Sequence, residues 1–155
     1  MHRYAVTVRW TGNRGEGTSA YRAYGREHVV QIAGKEDLLG SSDPVYRGDA
    51  SLHNPEDLFV AALSSCHMLW FLHLACRARM CVVGYTDEAL GELRVHEDGG
   101  GSFARVRLRP RVTVRGAADE EALRALHDEA HAKCFISQSV KCPVEIVPSL
   151  IVAEG

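Results

Sequence analysis

The sequence predicts an α+β fold in one domain, residues 1–155, with a long apolar helix packed against antiparallel sheets. Three observations carry this. Strand-like segments come in blocks and do not alternate singly with helices, which argues against a doubly wound sheet. One helix-length run, LFVAALSSCHMLWFLHLAC at 58–76, is apolar on every side. A length of 155 residues, with 46% apolar and 25% charged side chains, is enough for one well-formed core. Nothing repeats, and no linker divides the chain.

Residues 4–10 alternate, with Tyr4, Val6, Val8 and Trp10 on one face, so a half-buried strand is expected. The glycine-rich run at 12–17 is a turn, and short strands follow at 19–24 and 27–32. Residues 33–53 read as loop, broken at Gly40-Ser41-Ser42-Asp43-Pro44. A loop that long inside a compact domain is functional or is held by a partner. Asn54-Pro55-Glu56-Asp57 announces a helix reaching about residue 80: asparagine caps, proline suits the first position, and acids favour the positive end of the dipole.

A second β section covers 86–97 and 102–115, joined by the turn Asp98-Gly99-Gly100-Gly101. On its second strand Arg105, Arg107, Arg109, Arg111 and Arg115 share one face, and Val106, Leu108, Val112 and Val114 the other. Asp119 caps a helix at 120–133, whose buried stripe is Leu123, Leu126 and Ala130. Residues 144–152 form a last strand. A helix as apolar as 58–76 is hard to bury in one small domain, which favours an intertwined dimer with that helix at its centre.

A net charge of −2 gives no reason to expect nucleic acid or an anionic membrane as partner. The arginine face lacks the interleaved aromatics of a stacking platform, and acids such as Glu92 and Glu97 on the preceding strand balance it. The apolar run approaches a bilayer span in length, but Ser64, Ser65, His67 and His73 are costly in lipid, so a core helix is expected. The N-terminus shows no basic-then-apolar leader. Five cysteines, an odd number with no CxxC pair, fit a reducing, cytoplasmic setting and not a secreted disulfide scaffold.

Cys66 lies inside the apolar helix. As a nucleophile it must be a thiolate, and it is too far from the helix start for the dipole to ionise it, so a nearby arginine has to supply the charge. Cys134 falls four residues after Ala130 and continues the buried stripe, where it could face a second thiol across the core. Cys142 precedes Pro143 at the entry to the last strand, while Cys76 and Cys81 look like packing. The spacings miss the usual zinc pairs, and neither a metal nor another cofactor is expected. His67, adjacent to Cys66, points to a different helix face and reads as a packed residue.

The run NPEDLFVAALSSC at 54–66 and the run AHAKCFISQSV at 130–140, correctly ordered and spaced, resemble the two cysteine segments of the OsmC/Ohr family (osmotically inducible protein C and organic hydroperoxide resistance protein). The resemblance extends over essentially the whole chain. It implies an intertwined α+β homodimer and a thiol-dependent peroxidase that reduces small organic hydroperoxides. In that reading Cys66 attacks the peroxide, Cys134 resolves the sulfenic acid as a disulfide, and Arg47 supports the thiolate with Glu56 as its acidic partner. Arg22 and Arg26 are alternative sources of the cation, and Cys142 is the alternative resolving thiol. A dithiol such as a lipoyl group would restore the reduced enzyme. Phe135 and His67 depart from the family pattern, where proline and a small residue respectively are more usual. A non-catalytic binding or redox-sensing protein on the same fold is the competing expectation. On one straight helix Glu56 and Cys66 stand about 15 Å apart.

Overall fold

The computed structural model describes residues 1–117 and 119–153. The chain divides into two compact units, Met1–Leu58 and Phe59–Gly155.

The first unit is a three-stranded antiparallel sheet of β1 (Thr7–Trp10), β2 (His28–Gln31) and β3 (Leu38–Gly40). The expected alternation at 4–10 is present, but its burial is not. Tyr4, Val6, Val8 and Trp10 are all exposed, because alternation sets which side chains share a face and not whether anything covers it. Residues 19–24 form turns instead of a strand. There Tyr24 bridges Asn13, and Arg26 stacks over the rings of Tyr21 and Tyr24, its guanidinium carbon 4.6 and 4.1 Å from their centroids. The expected loop at 33–53 contains β3 and one 3₁₀ turn, Pro44–Tyr46, capped by the Asp43 carboxylate.

The helix α1 runs Pro55–Arg77. Its start is a reciprocal cap: Asp57 N–H donates to Asn54 Oδ1 at 2.8 Å, and Asn54 Nδ2 donates to the Asp57 carboxylate at 2.9 Å. By length and composition α1 could span a bilayer, with mean hydropathy 1.6. Here Leu63, His67, Phe71, Leu74 and Ala75 form a buried stripe at helical spacing.

The second unit holds two further three-stranded sheets and the helix α2 (Glu120–Lys133), capped by Asp119 as expected. The strands are β4 (Cys81–Asp87), β5 (Leu90–Val95), β6 (Gly101–Leu108), β7 (Pro110–Arg115), β8 (Val144–Ile146) and β9 (Ser149–Ala153). One sheet has the order β4-β7-β9 and the other β5-β6-β8. Each pairs antiparallel on one side of its central strand and parallel on the other, so the sheets are mixed. Two segments expected as single strands are each split. The run at 102–115 passes from one sheet to the other at Arg109-Pro110, and the run at 144–152 does so at Val147-Pro148. Proline has no N–H to continue a ladder. At the first switch the Asp87 carboxylate accepts from Arg109 N–H and from the Ser64 hydroxyl, both at 2.6 Å, tying α1 to the corner.

Two cores lie along α1. Leu63 packs with Val106 and Leu108 of the β5-β6-β8 sheet; Phe71, Leu74 and Ala75 pack with Val112, Val114, Leu123 and Ala130. Close approach of α1 to β5 requires glycine at 91, where a Cβ would stand 2.6 Å from Val60 Cγ2. The arginine face carries an ion-pair ladder: Arg105 to Glu92 at 2.8 Å, Arg107 to Glu145 at 2.9 Å and Arg111 to Glu88 at 3.2 Å.

Candidate active site

The site rests on the meeting of α1 with the C-terminal end of α2. Buried positions on α2 recur at Leu123, His127 and Ala130, and Cys134 follows as the C-cap, fully buried. The chain then turns through a 3₁₀ segment, Ser137–Ser139, with Ser137 N–H donating to Cys134 Sγ at 3.4 Å. Cys66 is half-buried on α1, and the Cys134 thiol is near enough to act on its ionisation. Burial pushes the Cys66 pKa above the ordinary thiol value, and the neighbouring Cys134 adds to the rise. The backbone N–H groups of Ile136 and Phe135 work against it. No arginine of residues 59–153 is among the groups that act on this thiol.

The other expected site residues are placed as follows. Cys142 packs at the edge of the Leu63, Val106 and Leu108 core, in different surroundings from Cys134. Cys76 and Cys81 are exposed and do not act as packing: Cys76 lies off the buried stripe in the last turn of α1, and Cys81 opens β4. Glu56 lies in the first turn of α1. Arg47 closes the 3₁₀ turn in a left-handed conformation, with its guanidinium carbon 5.8 Å from the centroid of the Tyr21 ring. Within residues 1–58, Arg47 and Glu56 form no ion pair with each other.

Behind the thiols is a feature that sequence reasoning missed. His67 Nε2 and His127 Nδ1 lie 2.9 Å apart, both rings fully buried and nearly parallel. Burial holds the His67 pKa down to about 4, with His131 contributing, and that of His127 down to about 3, with His67 contributing. Both imidazoles are therefore neutral near pH 7, one donating to the other. Phe71 stacks on His127 at 4.0 Å. The available signal was His127 itself, four residues after Leu123 on the buried stripe, where an unpaired imidazole would be costly.

One helical turn beyond Cys66 the surface of α1 is apolar. Phe135 stands edge-on to Trp70 at 5.6 Å, Lys133 Nζ lies 6.0 Å from the centre of the same indole, and Leu69, Trp70 and His73 line a depression of about 220 Å³.

The model of the OsmC-like protein family matches residues 48–149, a span that includes the thiol pair. The chain belongs to the OsmC-like family. Among solved structures it is similar to an OsmC-like protein of unknown function from Vibrio cholerae, at 35% identity and TM-score 0.85, covering 97% of this chain and 100% of that one. It shares the fold of an organic hydroperoxide resistance protein from Bacillus subtilis, at 22% identity and TM-score 0.65 over 97% and 98% of the two chains. A third, an organic hydroperoxide resistance protein from Elizabethkingia anophelis, has 20% identity and TM-score 0.68 over 99% and 98%. None of the curated proteins matches the chain. The α+β class expected from sequence is that of these OsmC and Ohr neighbours.

Proposed function

We propose that this OsmC-like chain is a cysteine-based peroxidase that reduces organic hydroperoxides to alcohols. The observation that carries the reading is that the buried Cys134 thiol neighbours Cys66, one helical turn before Trp70 and its apolar depression. The Cys66 thiolate attacks the distal peroxide oxygen. The O–O bond breaks, the alkoxide leaves and takes a proton as the alcohol, and Cys66 becomes a sulfenic acid. The Cys134 thiol condenses with it, forming the S–S bond and releasing water. An external dithiol, of the lipoyl type, then reduces the disulfide by exchange.

Because Cys66 stands above the ordinary thiol pKa in its own unit, the reaction needs a cation beside it. Arg47 is the candidate, with Glu56 as its orienting acid; the guanidinium is always charged and can hydrogen-bond both sulfur and peroxide. A homodimer accounts for the exposed apolar face of Tyr4, Val6, Val8 and Trp10, and for Leu69 exposed on α1. The Phe135, Trp70 and Leu69 surroundings favour an organic over an inorganic peroxide.

The test is to treat the reduced protein with tert-butyl hydroperoxide, count thiols and map the peptides. Two thiols lost and a Cys66–Cys134 peptide support the enzyme, and Cys66→Ser should abolish peroxide consumption. Unchanged thiols favour a binding protein on the same fold.

A further inference from the structure

At the far end of α1 the chain reverses into β4 through a tight turn. Met80 N–H donates to Ala75 O at 2.9 Å, and Arg79 N–H donates to Cys76 O at 3.1 Å, the paired bonds that close a helix C-terminus. The turn puts Arg79 at φ 60°, a left-handed conformation that glycine adopts without strain and arginine does not. The reversal brings Cys76, in the last turn of the helix, and Cys81, the first residue of β4, onto one cavity of about 370 Å³, together with Arg79 and Met80. Both thiols are exposed. Two cysteines, one methionine and one arginine thus line a single hollow, with Met80 also packed against the core.

We propose that this cavity binds a soft monovalent metal cation of the copper(I) class, held by the Cys76 and Cys81 thiolates with the Met80 thioether as third ligand. Soft sulfur ligands suit copper(I), zinc and iron–sulfur centres; a set of only two thiolates and one thioether, too few for a four-coordinate zinc site, favours copper(I). Among the described residues no three His, Cys, Asp or Glu side chains converge on a metal position, so a harder ion that needs nitrogen or oxygen donors is not served here. On binding, each thiol releases its proton to water and two S–Cu bonds form, with no change of oxidation state. Two thiolates and one copper(I) carry a net charge of −1, which the Arg79 guanidinium neutralises. That role accounts for a cationic residue at a position where glycine would relieve strain. A disulfide between the two cysteines would use neither the thioether nor the guanidinium. The site is separate from the Cys66 and Cys134 pair and does not depend on the peroxidase reading.

Anaerobic titration of the reduced full chain with copper(I), against a chromogenic chelator, tests the proposal. Cys66→Ser is used as the background, to remove the other thiol pair. One tight equivalent is expected. Cys76→Ser/Cys81→Ser should abolish it, and Met80→Leu should weaken it at least by the roughly tenfold typical of supporting changes at metal sites. Affinity should rise about 100-fold per pH unit while both thiols are protonated, since two protons leave. Arg79→Gly relieves the strained turn, so it should fold at least as well and yet bind more weakly. Unchanged stoichiometry in Cys76→Ser/Cys81→Ser, with circular dichroism showing the fold intact, overturns the site. So does a Cys76–Cys81 disulfide formed in place of copper binding, and unaltered affinity in both Met80→Leu and Arg79→Gly.

Discussion

Mild acid should destabilise this protein through its buried histidine pair. In the folded chain His67 and His127 stay neutral until the pH falls to about 4 and about 3, while in the unfolded chain both titrate near 6.5. Below pH 6.5 the unfolded state therefore binds protons that the folded state does not, and stability falls as pH falls. From pH 7 to pH 5 each histidine accounts for about 2 kcal/mol of that loss, and the pair for about 4 kcal/mol. Domains of ordinary stability have only about 5–15 kcal/mol to lose. The electrostatic effect of His131 on His67 acts in the same direction. The measurement is urea unfolding followed by circular dichroism at pH 7 and pH 5, comparing the natural chain with His67→Gln/His127→Gln. Glutamine can keep a hydrogen bond across the gap but cannot titrate, so the variant should lose little between the two pH values. If natural chain and variant lose stability equally over this interval, the neutral buried pair is not the origin of the acid sensitivity.

Three further outcomes are expected. Cys134→Ser should stall peroxide consumption after one turnover, with Cys66 trapped as a sulfenic acid by dimedone; continued turnover would transfer the resolving role to Cys142. Arg47→Ala should move the alkylation profile of Cys66 to higher pH by on the order of one unit, the size of a nearby opposite charge. An unaltered profile would shift that role to Arg22 or Arg26. Asn54→Ala removes the cap on α1 and should cost about 1 kcal/mol in thermal or urea unfolding; no measurable loss would mean that water replaces the cap.

The parts of the fold that were legible in sequence depend on local chemistry. Asn54 and Asp119 mark both helix starts correctly, and the valines of 106–114 lie on the buried face as their alternation requires. The errors arise where a local pattern meets a nonlocal choice. Pro110 and Pro148 were visible inside two apparent strands, yet only the sheet topology gives them meaning: at each, the chain leaves one sheet for the other. The end of α1 was expected at about residue 80 and lies at Arg77, where no glycine marks the reversal: Arg79 adopts the left-handed conformation itself. For the strand at 4–10 the periodicity was readable and the burial was not, since burial depends on what covers the face.

The site shows the same division more sharply. Each helix announces its own stripe, but the pairing of Cys66 with Cys134 and of His67 with His127 depends on how the helices cross. Cys66 and His67 are neighbours, about 1.5 Å apart along α1 and turned about 100° from each other. Their partners are seven residues apart, roughly 10 Å along α2. Neither stripe says which residue of one helix meets which of the other. That meeting gives the site its electrostatic character. It sets a thiol beside a second thiol and one residue from a neutral imidazole pair, so that within residues 59–153 only the Ile136 and Phe135 amides favour a thiolate. A peroxidase built on this pair needs a positive charge from elsewhere, and Arg47 is the residue proposed to supply it, which is why Arg47→Ala bears directly on the proposed chemistry.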